Sequence, residues 1–333
     1  MRPIDTTDDP IERKGNNMTC FDRRSFIKTG AGALLAAGVP FAARAQQVAS
    51  LPCLRSRRSA TLPDADVAVP PYGNTIRDRL WMWGHGGIAF DKPRFTYDIP
   101  TAPPIEMNEA CRFMGIPNVC VCRYVGLPEA KDCSAYLKTF KDIKRIALSI
   151  VDSAGGTWRE KYELAKKLRK ENPNLGTVWL DDFFRPQKMS RPDDIHAFRR
   201  ELDADGFKLA CVLYPDSDGV KQEFKEVLDL CDQISVWFWH AKNIPTMKAS
   251  IRKLRDLVGP KKALIMGIYM WDFGDRRPVP DELMRQQLAT GRELMAEHQL
   301  SGLVFHPTSL VNRKLSSIEI ARKWIAENGE KEL

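Results

Sequence analysis

The sequence predicts an α/β chain whose eight parallel strands close on themselves, on three observations. From Leu80 onward, eight short β-prone runs alternate with eight amphipathic helical stretches. Each helical stretch is followed within a few residues by the next run, as right-handed βα crossovers require. The series fills roughly 250 residues, the usual size of a (β/α)8 TIM barrel. A doubly wound open sheet would carry a glycine-rich phosphate loop after its first strand, and Trp83-Gly84-His85-Gly86-Gly87 is not one.

Taken in order, the runs are Leu80 to Trp83, Asn118 to Tyr124, Arg145 to Val151, Gly176 to Leu180, Lys208 to Tyr214, Gln233 to Trp239, Ala263 to Met270 and Gly302 to Phe305. The helical stretches run near Ile105 to Met114, Ala130 to Ile143, Thr157 to Glu171, Asp193 to Ala204, Val220 to Leu230, Pro245 to Leu257 and Pro280 to His298. Ser316 to Asn328 closes the series. Several carry the apolar stripe of a helix packed on a sheet, such as Trp158, Tyr162, Ala165 and Leu168.

Ahead of the barrel, residues 22 to 45 combine Arg23-Arg24-Ser25-Phe26-Ile27-Lys28 with an apolar, Gly/Ala-rich run and then Ala43-Arg44-Ala45. That run is too short to span a bilayer, which takes about 20 residues, and it fits a secretory segment with a small-x-small cleavage site. The core resembles the bacterial twin-arginine signal. The resemblance implies export of the folded chain by the Tat translocase, cleavage after Ala45, and a periplasmic or secreted protein with no stable membrane anchor. Residues 46 to 79, rich in Pro, Ser and Arg, read as a linker or an N-terminal wrap, which leaves 80 to 330 for the barrel.

Composition excludes several classes. The net charge of +8 is mild and spread along the chain, and no basic block alternates with aromatics, so no nucleic-acid partner is expected. The eight cysteines show no regular Cys-x-x-Cys pairs. Cys111, Cys120, Cys122, Cys211 and Cys231 read as small core residues, with room for one disulfide among the others.

In a barrel, the strand C-termini converge on one mouth, and their residues can be read together. They are His85, Arg123, Tyr124, Asp152, Asp181, Asp182, Tyr214, Asp216, Trp237, Trp239, His240, Tyr269, Trp271, Asp272 and His306. The other two of the five histidines, His196 and His298, fall on helices. Alternation on the fourth strand puts Val178 and Leu180 against the helices and Thr177, Trp179 and Asp181 inside. Asp181 is therefore the first choice for a catalytic carboxylate, with Asp182 a close second that could equally cap the next segment. The same alternation puts Gly267, Tyr269 and Trp271 inside the seventh strand, with Asp272 at its mouth or capping the turn before Gly274.

Trp179-Leu180-Asp181-Asp182-Phe183-Phe184 and Gly267-Ile268-Tyr269-Met270-Trp271-Asp272 make the chain resemble the (β/α)8 glycoside hydrolases. The resemblance implies a carbohydrate substrate and an acid/base pair on strands four and seven, although the Asn-Glu pair common there is absent. One acid would protonate the poor leaving oxygen while the other stabilises the cationic centre or activates water. Asp181 or Asp182 would fill one role and Asp272 the other, with no cofactor. His85, Arg123, Tyr214, Trp237, Trp239, His240, Tyr269, Trp271 and His306 would bind substrate, tryptophan faces stacking on sugar rings. Two alternatives stand beside it. One is a metal-dependent isomerase, epimerase or hydrolase using His85, Asp181, His240, Asp272 and His306 as ligands to a divalent cation. The other is a carbohydrate-binding barrel without catalysis.

Overall fold

The computed structural model describes residues 72–86, 97–151, 156–184 and 192–333. The expected twin-arginine leader, most of the expected linker and Asp152 lie outside the described residues. The chain divides into two units, Met1–Thr61 and Leu62–Leu333, and every described residue belongs to the second.

The second unit is a (β/α)8 barrel, as the alternation predicts. Its strands are β1 (Leu80–Gly84), β2 (Asn118–Val121), β3 (Arg145–Val151), β4 (Leu175–Leu180), β5 (Lys208–Leu213), β6 (Gln233–Val236), β7 (Ala263–Tyr269) and β8 (Gly302–His306). Each pairs in parallel with the next, and β8 closes on β1 with Leu80 opposite Leu303. The helices are α1 (Met107–Met114), α2 (Cys133–Leu137), α3 (Trp158–Glu171), α4 (Ile195–Asp205), α5 (Lys225–Leu230), α6 (Met247–Val258), α7 (Asp281–Ala296) and α8 (Ser316–Asn328). Local chemistry sets their ends. Thr157 and Glu160 form a reciprocal capping box at the start of α3, and left-handed Gly115 and Gly206 terminate α1 and α4.

Large rings set against small residues fill the barrel. Trp81, Trp83, Trp179 and Trp237 pack edge to face, with centroids 6.3 Å apart for Trp81–Trp179, 4.9 Å for Trp83–Trp179 and 5.9 Å for Trp83–Trp237. The Trp179 contacts bear out the alternation expected on β4. Ala147, Ala210, Ser235 and Gly267, all from strands of the same barrel, leave room for the indoles. A Cβ on Gly267 would lie 2.1 Å from the Trp237 ring, so no other residue fits there without a shift. Ser235 accepts the Trp237 indole N–H at 2.9 Å and fixes that ring.

Residues 72–79, expected at the end of the linker or wrap, form the floor. Tyr72 packs 6.0 Å from Trp81, and its hydroxyl donates to the Gln233 side chain. The Ile76 and Arg77 amides donate to the Lys331 and Gly329 carbonyls, which ties the floor to the C-terminus.

Some elements are shorter than expected. β2 ends at Val121, ahead of a 3-10 turn over Tyr124–Gly126. β6 ends at Val236, although Trp237 still donates its amide to the Leu213 carbonyl at 2.9 Å before the Trp239 amide turns to Asp216. α2 covers only Cys133–Leu137 of the stretch from Ala130 to Ile143, since Phe140 N–H turns back to Leu137 O. Cys111, Cys120, Cys122, Cys211 and Cys231 are buried, as expected, and so is Cys133. No helix among the described residues is long and apolar enough to cross a membrane.

Gly267→Ala is expected to lower stability by about 3 kcal/mol through overpacking. Urea denaturation of the Gly267→Ala, Trp237→Leu and double variants checks this, because relief of the clash makes the double variant more stable than the sum of the singles predicts.

Candidate active site

The C-terminal mouth is built from ring stacks above the tryptophan layer. Tyr269, the last residue of β7, has its ring 4.9 Å from Trp237, 5.9 Å from Trp239 and 5.2 Å from His306. Phe273 lies 5.2 Å from both Tyr269 and His306 and 5.6 Å from Trp239, and Tyr97 packs 5.3 Å from Phe273. Tyr214 reaches Tyr269 through their hydroxyls, 3.4 Å apart. Trp239 is partly exposed, so this aromatic wall meets solvent there. Its position is set by Asp216, whose carboxylate accepts the Trp239 amide at 3.0 Å and the Asn243 side-chain amide at 2.9 Å.

Two histidines line the same region. His85, one residue past β1, is buried and stacks on Tyr124 at 4.9 Å and 24°. Burial pulls its pKa down to about 4. His306 is held well below the usual histidine range by burial first, and then by His85. Both rings are therefore neutral at pH 7 and able to donate and accept hydrogen bonds. Thr308, in the loop after β8, donates its hydroxyl to the His85 carbonyl at 2.9 Å.

The acids divide into two environments. Asp181 extends β4, its amide donating to the Val151 carbonyl at 3.1 Å, and its side chain is partly exposed. Asp182 follows with a left-handed φ of 50° and is also partly exposed. Asp272 is sealed in, with its side chain 0% exposed. It has left the barrel with Trp271, and the two pair antiparallel with Arg277 and Pro278 in a small hairpin. One Asp272 oxygen accepts the Asp275 amide at 3.0 Å, the turn cap that the sequence allowed. The Trp271 indole N–H donates to the Tyr97 carbonyl at 3.1 Å.

The other expected residues fall into place around these. Arg123 is committed to its own loop, donating to the Pro128 carbonyl at 2.9 Å and the Gly126 carbonyl at 3.2 Å. Trp237 lies below the mouth as packing, 2% exposed. His240 turns outward to Asp275, with Nδ1 2.9 Å from Oδ1. No three of the five residues weighed as one metal centre come together among the described residues. The described His, Cys, Asp and Glu residues bring three potential ligands together only at His240, Asp272 and Asp275.

Tyr97, Phe273 and Asp275 went unread in the sequence, since each acts from a loop whose path depends on tertiary packing. A groove of about 200 Å³ between α1 and the segment before β3 lies at the opposite end of the barrel, away from the acids.

No protein-family profile matches the chain, and no curated protein does. Solved structures do. The tryptophan synthase α-subunit of Pyrococcus furiosus is 10% identical over 77% of this chain and 98% of its own, with a TM-score of 0.45. A candidate alpha-L-fucosidase of Bacteroides thetaiotaomicron is 11% identical over 83% of this chain and 100% of its own, with a TM-score of 0.47. Likenesses this distant are likenesses of barrel to barrel.

Proposed function

We propose that the protein is a glycoside-hydrolase-like enzyme that acts on a carbohydrate at the barrel mouth. The observation that carries this reading is the pair of partly exposed carboxylates, Asp181 and Asp182, at the end of β4, on the same rim as a wall of aromatic rings. The C–H patches of a sugar stack on apolar ring faces, and its hydroxyls need uncharged donors and acceptors between them. Trp239, the partly exposed ring of the wall, provides the first, and the partly exposed, neutral His306 the second. Asp181 serves as the general acid that protonates the leaving oxygen. The second carboxylate is drawn from Asp182 rather than Asp272, because Asp272 meets no solvent. The Tat-like leader adds that the barrel works outside the cytoplasm after export.

A screen of the purified chain from Gln46 onward against a glycan panel tests the reading. Asp181→Asn is expected to lower kcat/KM on the best substrate by about 10² to 10⁴ with the fold intact. Trp239→Ala is expected to raise KM by about tenfold through lost stacking. Glycan bound tightly with no bond cleaved would instead favour a binding barrel.

The histidines predict an acid-side loss of stability. His85 has a pKa of about 4 when folded and near 6.5 when unfolded, so between those values the unfolded chain binds the extra proton. Stability is full above pH 6.5 and falls as pH drops to about 4, by about 3 kcal/mol from His85. His306 shifts in the same direction and adds to the loss. Melting temperatures from pH 7 to 4 check this, and His85→Gln is expected to flatten the profile relative to the parent.

A further inference from the structure

We propose that His240, Asp272 and Asp275 form a binding site for a divalent first-row transition cation, Zn²⁺ in the first instance, which joins the loop after β6 to the hairpin after β7. Each of the three offers one ligand atom, and these atoms all lie within 4.8 Å of one another. One imidazole and two carboxylates suit such a metal better than Ca²⁺, which takes oxygen ligands.

A second observation is independent of the clustering. Asp272 is 1% exposed, and its Oδ2 is buried with no hydrogen-bond partner. Its other oxygen caps the Asp275 amide, which holds the carboxylate beside the cluster. Among the described residues, the one cation within ion-pair range of Oδ2 is the Arg277 guanidinium at 4.0 Å, too far for a hydrogen bond, on a side chain 57% exposed. A bound metal would satisfy that oxygen directly.

The backbone prepares the third ligand. The His240 ring lies against Gly274, where an added Cβ would come within 2.2 Å of Nδ1. The Gly274 amide donates to the Trp239 carbonyl at 3.1 Å, so the loop and hairpin are already in register. His240 and Asp275 keep about a third of their side chains exposed, which leaves solvent access for a water in the remaining coordination position. This site is independent of the proposed hydrolysis, and its test reads metal binding alone.

The test is calorimetric titration of Zn²⁺ into chelator-stripped, untagged protein. The parent is expected to bind one equivalent saturably. Loss of groups that merely orient metal ligands weakens binding by about 10- to 100-fold, so Asp272→Asn and Asp275→Asn are each expected to weaken it by at least about tenfold. Arg277→Gln removes a competing cation from an exposed position and is expected to tighten binding severalfold. Circular dichroism of the metal-free variants separates lost affinity from lost fold, and Arg277→Gln decides the matter where an aspartate variant fails to fold. No saturable binding by the parent, or parent-like affinity in both Asp275→Asn and Arg277→Gln, overturns the site.

Discussion

The barrel depends on a volume constraint, the room that four indole rings demand inside a ring of eight strands. Trp237 lies so close to the β7 backbone that only glycine fits at position 267. Trp83 bridges it to Trp179, and Trp81 rests on the floor residue Tyr72. Close packing of this kind leaves the interior little freedom to rearrange, so whatever stands above it is held rigidly. Tyr269 and His306 both stand on Trp237, and through them the aromatic wall of the mouth inherits its geometry from the packing below.

That foundation also explains the electrostatics. A mouth walled by Trp, Tyr and Phe rings desolvates whatever enters it, which is why His85 and His306 stay neutral. Asp181 and Asp182 lie partly exposed at the end of β4. Asp272 is buried in its hairpin, one oxygen accepting the Asp275 amide. The three acids thus occupy two settings, one partly open to solvent and the other facing inward to His240 and Asp275.

The architecture was legible because eight runs with strand-like period alternate with helical ones, and backbone geometry permits few other ways to bury that pattern. Alternation also located Trp179 correctly relative to the barrel wall. It failed past Tyr269, where Trp271 and Asp272 continue the same rhythm but belong to a separate antiparallel pair. Asp275 and Phe273 could not be found this way, since their importance arises from where a hairpin folds back. The floor was missed for a related reason: Tyr72 and Ile76 show no periodicity, and only their contacts with the far end of the chain give them a role.

Closure of the ring has a kinetic consequence. β1 and β8 come from opposite ends of the barrel, and the Thr308 hydroxyl that seals their junction meets a His85 carbonyl 223 residues earlier. Such non-local pairing is slow to form. While the chain emerges from the ribosome, β1 waits with one edge unpaired and Trp81 and Trp83 uncovered, the kind of surface that recruits other unfinished chains. The interval between synthesis of the first strand and arrival of the last is therefore when this molecule is most exposed to aggregation, and when a chaperone would have most to protect.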